Sequence, residues 1–168
     1  MTKLPSFHLS READLDFRIL VQEAPFSHQA EYDALRSKSL SVGAVVTFVG
    51  TVRDINDDDT VKVLHLEHYP GMTEKELSKI LQEASSRWQV LDATVIHRVG
   101  DLHPGEEIVF VGIASQHRGD AFKACEFVMD YLKTRATFWK KEKTEAGDRW
   151  LTTRQSDVEA AESWKADS

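Results

Sequence analysis

The chain has 168 residues, with 21 basic and 28 acidic side chains, a formal charge of −7, 41% hydrophobic residues and 29% charged ones. A single cysteine, Cys125, excludes a disulfide scaffold and suits a reducing compartment. No stretch approaches the roughly 20 apolar residues of a membrane span. The first residues, MTKLPSFHLSREADLDF, lack a signal-peptide core, so a cytoplasmic protein with no membrane partner is expected. The acid excess argues against bulk nucleic-acid binding. The length favours one domain, burying roughly 70% of its unfolded surface.

In chain order, LDFRILVQ (15–22) reads as a first strand and SHQAEYDALRSK (27–38) as a short helix that Ser27 can cap. GAVVTFVGTVR (43–53) is rich in valine, threonine and phenylalanine and predicts a strand, with Gly50 marking a bulge or close approach. The acidic turn DINDDDT (54–60) leads to VKVLHLEH (61–68), expected as its hairpin partner. After Pro70-Gly71, Thr73 and Glu76 have capping-box spacing and open a helix to about Trp88, with Leu77, Ile80, Leu81 and Ala84 inward. ATVIHRV (93–99) and EEIVFVGIAS (106–115) are strands joined through His103-Pro104-Gly105.

A further helix is expected from Gly119-Asp120 to about Arg135, with Phe122, Cys125, Val128, Met129 and Leu132 as its apolar stripe. A small hairpin should turn at Ala146-Gly147, residues 156–165 add a terminal helix or fray, and the tract 156–168 as a whole is expected to be a solvated end. The fold class expected is α+β with largely antiparallel sheets, as one domain over 1–155 followed by a tail, 156–168.

Four clusters can carry chemistry. Arg53, after the glycine-containing strand end, presents a planar fork of donors to a phosphate or carboxylate, or merely offsets the aspartates at 54 and 57–59. His117 and Arg118 lie where a strand passes into a helix, a place that favours anions, or belong to a polar loop capped by Asp120. Lys133 lies at the edge of a helical stripe, where a lysine either aims its amine along a groove or simply snorkels.

From 133 to 143, Lys133, Arg135, Lys140, Lys141 and Lys143 stand against one acid, Glu142, a basic patch beside Phe138 and Trp139 or a solvated basic turn. Two lysines held close lower each other's pKa, which would suit acid–base or nucleophilic work. Cys125 reads as a buried structural thiol. His65, His68, His97 and His103 lack zinc spacing, so no metal and no resident cofactor is expected. A non-catalytic module for a nucleotide or an acidic tail is a rival reading. RNA binding through Phe138, Trp139 and the lysines is another, which the net charge disfavours.

The runs VTFVGTVRD, LEHYPGMTEKEL, VIHRVGDLHPGEEIVFVGIASQHRGDAF, MDYLKTRATFWKKE and GDRW, spanning about 41–151, closely resemble the large, catalytic subunit of molybdopterin synthase. The resemblance implies an α/β hammerhead-like fold and a sulfurtransferase of molybdenum cofactor biosynthesis. Such an enzyme moves sulfur to cyclic pyranopterin monophosphate from the C-terminal Gly-Gly thiocarboxylate of a small ubiquitin-like partner. It also implies a homodimer carrying one small subunit at each end, a heterotetramer.

Carried over residue by residue, Lys133 and Lys140 match the catalytic lysines. Thr51, Val52, Arg53, His117, Arg118, Lys141 and Glu142 match substrate-binding positions, and Arg154 matches an arginine implied to reach across the dimer. Two departures stand out. Thr137 replaces a proline frequent in relatives, and the 54–60 turn is unusually acidic beside Arg53.

Overall fold

A computed structural model describes residues 16–166. The first sheet contains β1 (Arg18–Gln22), β2 (Ala44–Thr51), β5 (Asp92–Arg98) and β7 (Glu107–Ser115), in the order β1-β5-β7-β2. Only the β1–β5 pair is parallel. The second sheet contains β3 (Ile55–Asn56), β4 (Asp59–His68), β8 (Phe138–Thr144) and β9 (Gly147–Trp150), with β6 (Gly100–Leu102) added alongside β4. The helices are α1 (His28–Arg36), α2 (Met72–Arg87), α3 (Arg118–Thr134) and α4 (Gln155–Ala166). The result is mixed, largely antiparallel and α+β, as expected. No helix among the described residues is long and apolar enough to cross a membrane.

Both faces of the first sheet are covered, which explains why β7 is apolar along almost its whole length. Val109, Val111 and Ile113 pack with Leu77, Leu81, Phe127 and Val128 of α2 and α3. Phe110 and Ala114, alternating with them, face Leu35 of α1. Gly112 lies on the α1 side, where an added Cβ would collide with Leu35 and Phe110, so a side chain there would push α1 off the sheet. Ser27 caps α1, its Oγ accepting from the Ala30 N–H at 3.2 Å.

Four expectations need correction. First, β2 does not pair with β4. A register shift at Gly50–Thr51 ends the β2–β7 ladder, and β4 instead takes β3, β6 and β8 as neighbours. The tight turn is local, at Asp57-Asp58, both with positive φ (50° and 62°), joining β3 to β4. Second, α2 starts earlier than the Thr73–Glu76 spacing suggests. Gly71 is the N-cap, its N–H donating to Glu74 Oε2 at 2.6 Å, while the buried Thr73 uses its hydroxyl elsewhere.

Third, Phe122 is 61% exposed. The buried arc of α3 is Ala121, Ala124, Cys125, Phe127, Val128, Tyr131 and Leu132, and at 100° per residue Phe122 lies about 140° from its middle. Fourth, α4 is no solvated end. Ala161 is buried, and Trp164 packs edge-on to Trp88 and Phe127 while its indole N–H donates to Asp130 Oδ2 at 2.7 Å.

Candidate active site

After the bulge at the end of β2, Val52 is tied to the turn before β7. Its N–H donates to the Glu106 carbonyl at 2.9 Å, and its own carbonyl accepts from Gly105 N at 2.8 Å. Its side chain is buried with Val61, Leu64, Leu66 and Leu102. Val52 is thus an anchor, and Thr51 and Arg53 on either side of it stay exposed. Lys133 arrives from the last turn of α3. Lys140 and Glu142 arrive from one face of β8 by strand alternation, and Arg154 from the segment before α4.

All seven residues line one cavity of about 360 Å³. An adjoining cavity of about 400 Å³ shares Thr51, Arg53, Lys133, Lys140 and Arg154 with it and adds Phe48, His97 and Met129.

The electrostatics are those of a cationic, partly dry site. Burial, and then the like charge of Lys133, bring the Lys140 amine down from the usual 10.5 to about 8. Arg154 adds to the effect and Asp157 opposes it. Such an amine loses its proton near neutral pH, which an ordinary surface lysine does not. Cys125 behaves in the opposite way. Burial pushes its thiol up to about 11, as befits an inert core group.

The arginines are held by one amide. Arg53 Nη2 donates to Asn56 Oδ1 at 3.0 Å, and Arg154 Nη2 donates to the same oxygen at 2.7 Å. The buried Glu142 accepts from Asn56 Nδ2 at 2.7 Å through one oxygen and from Arg149 Nε at 3.0 Å through the other.

Three expected site residues are not brought to this cavity. His117 and Arg118 are exposed at the opposite end of α3, about 22 Å of helical rise from Lys133. Lys141 faces the other side of β8, its amine over the Trp150 ring at 5.4 Å. The acidic turn does lean toward the site, with Asp57 Oδ1 3.9 Å from Arg154 Nη2. At the proline-to-threonine departure, the Thr137 carbonyl accepts from the Thr73 hydroxyl at 2.9 Å, a bond that ties this turn to α2.

Two residues were missed. Asn56 looked like part of a polar turn, and nothing in its neighbours' composition distinguishes it. His97 was one of several scattered histidines. It is 1% exposed and stacks on Phe138 at 3.8 Å, and its Nδ1–H donates to the Arg98 carbonyl at 2.8 Å. That bond leaves Nε2 as the lone-pair nitrogen of a neutral ring. Among the described residues, no group of three or more His, Cys, Asp or Glu is placed to hold a metal ion.

A mixed α+β fold whose cavity gathers two lysines and two arginines, one amine titrating close to neutrality, defines a protein built to handle an anionic reactant. Known proteins narrow the class. The family model "MoaE protein" matches residues 21–135. The chain is 56% identical over 151 residues to the molybdopterin synthase catalytic subunit of Vibrio cholerae, covering 90% of this chain and 100% of that one.

It matches the solved structure of the molybdopterin biosynthesis MoaE protein from Burkholderia ambifaria with a TM-score of 0.77 and 50% identity, covering 89% of this chain and 99% of that one. A more distant likeness, of fold alone, is to a protein–protein complex of subunits 1 and 2 of molybdopterin-converting factor from Helicobacter pylori. Its TM-score is 0.67 at 19% identity, covering 81% of this chain and 91% of that one. The chain belongs to the MoaE family, that of molybdopterin synthase catalytic subunits.

Proposed function

We propose that the chain is a sulfurtransferase, moving sulfur from the C-terminal thiocarboxylate of a small ubiquitin-like partner to cyclic pyranopterin monophosphate and forming the molybdopterin dithiolene. The observation that carries this reading is the pairing of Lys133 with Lys140 in one cavity, with Arg53 on its wall. The cationic wall suits both anionic reactants, a phosphate ester and a thiocarboxylate. Lys140 stabilises negative charge that develops as sulfur attacks the pterin. Lys133 sits at the carrier's acyl carbon as proton donor or transient acyl acceptor, after which water returns the carrier as a carboxylate.

The partner is supported by the relatives' role as catalytic subunits and by the two-subunit complex from Helicobacter pylori. The assembly we propose is a central homodimer with a small subunit at each end. The remote position of His117 and Arg118 supports a second copy bringing such a pair to each cavity. Arg154 lies in its own chain's cavity, and a contribution across the dimer is not needed to place it there.

Reconstitution tests the reading. The chain, a thiocarboxylated small partner and the cyclic pterin are expected to yield molybdopterin, and Lys133→Ala is expected to abolish turnover while partner binding persists. No product where a known synthase works would refute it.

A further inference from the structure

Arg53 and Arg154 come from distant parts of the chain, yet each donates to the same oxygen of Asn56, at 3.0 and 2.7 Å. Two guanidiniums repel, so something must hold them together. A carboxylate would do so by neutralising them. Here the common acceptor is a neutral amide, 7% exposed. Its orientation is forced. Glu142 is only an acceptor, so Asn56 must turn its NH2 toward Glu142, at 2.7 Å, and its oxygen toward the arginines.

Glu142 is in turn occupied by Arg149, and the Arg149 Nη2 also donates to the Asn56 carbonyl at 2.9 Å, which fixes the backbone of the two-residue strand. Among the described residues Arg53 makes no salt bridge, and the one salt bridge of Arg154 is to Asp57, at 3.9 Å. The pair therefore retains its charge on the wall of the cavity that also holds Lys133 and Lys140.

We infer that Asn56 is a positioning residue, whose amide, oriented by Glu142, sets Arg53 and Arg154 as a two-pronged grip for a phosphate group. The inference rests on the cavity being the reaction site proposed above. The Asn56 amide supplies alignment without neutralisation. An aspartate there would cancel the charge the phosphate needs and would press against the buried Glu142 carboxylate.

The test uses the full-length chain with inorganic phosphate as probe, followed by phosphorus NMR, alongside turnover of the cyclic pterin with the thiocarboxylated partner. Asn56→Ala and Asn56→Asp are each expected to weaken phosphate binding about tenfold, as loss of charge-assisted alignment implies. The KM for the cyclic pterin should rise by a similar factor, with kcat within about twofold of wild type, a split that belongs to ground-state binding. Adding Asn56→Ala to a chain that carries both Arg53→Ala and Arg154→Ala should weaken phosphate binding scarcely further, since the amide acts through the two arginines.

An unchanged phosphate Kd in Asn56→Ala overturns the inference, as do fully additive losses or a wild-type chain that binds no phosphate. Should Asn56→Ala not fold, because Glu142 is left buried without its amide partner, Asn56→Ala with Glu142→Gln removes that charge and is read by the same criteria. A chain that binds phosphate through Asn56 but makes no molybdopterin would refute the proposed reaction and leave the grip standing.

Discussion

Lys133 and Lys140 reach one cavity from different elements, a helix end and a strand, and the ammonium of the first helps hold the amine of the second at about 8. Burial is the larger cause and the like charge the next. Competitive amine labelling read by mass spectrometry should therefore give Lys140 an apparent pKa near 8. Lys133→Ala should move it part of the way toward 10.5 without reaching it, because desolvation remains. A Lys140 that labels like surface lysines would contradict the arrangement.

The same shift affects stability. A lysine whose folded pKa is depressed binds fewer protons folded than unfolded between about 8 and 10.5. Stability should rise with pH across that window, and Lys140→Met should flatten the rise. Chemical denaturation at several pH values reads this directly.

His97 gives the acidic counterpart. Burial, with smaller contributions from the Lys140, Lys133 and His68 charges, lowers its pKa from 6.5 to about 3, while its bond to the Arg98 carbonyl opposes the shift. The unfolded chain takes up this proton between pH 6.5 and 3 and the folded chain does not, so stability should fall as pH drops through that window. His97→Phe keeps an aromatic ring against Phe138 but cannot be protonated. It should reduce the slope of stability against pH there, at some cost at neutral pH from the lost hydrogen bond. An unaltered slope would show that His97 is not the titrating group.

The positions of Arg118 and Lys133 at opposite ends of α3 bear on assembly. If each reaction site takes its helix-start pair from a second copy, Arg118→Ala and Lys133→Ala chains should each be severely impaired alone. Mixed and re-equilibrated, they should recover about a quarter of wild-type activity, since half the dimers are mixed and each mixed dimer has one intact site of two. No recovery, with exchange verified by mass, would refute a shared site.

Local pattern made much of this legible, and long-range pairing did not. The Ser27 cap, the Gly50 bulge, the α2 stripe and the Gly147 turn depend on near neighbours in sequence, and the structure has them where expected. The partner of β4 depends on β8, more than 70 residues away, and no local signal encodes it. The site divided in the same way. The lysines and Arg53 stood out as charges at element ends and through the family resemblance. Asn56 matters only because Glu142 and Arg154 fold against it from 86 and 98 residues further on. Lys141, expected beside Lys140 through the family resemblance, lies over Trp150 instead, because neighbours on a strand face opposite ways.

The turn that carries Asn56 into place is locally strained, and this too can be measured. Asp57 and Asp58 both adopt positive φ, 50° and 62°, in a two-residue connection between Asn56 and Asp59, the geometry of a type I′ turn. Aspartate tolerates the left-handed region better than most residues, yet glycine is the residue this second position favours. Asp58→Gly relieves the strain but gives the unfolded chain more freedom, so the net gain is expected to be about 0.5 kcal/mol. For a chain of this length that is a rise of about 1–2 °C in Tm. Asp58→Ala keeps the strain and loses the polar side chain that eases it, and should lower Tm instead. Thermal unfolding of the two variants side by side decides the matter, because only a left-handed backbone at residue 58 makes glycine stabilising and alanine destabilising at the same position.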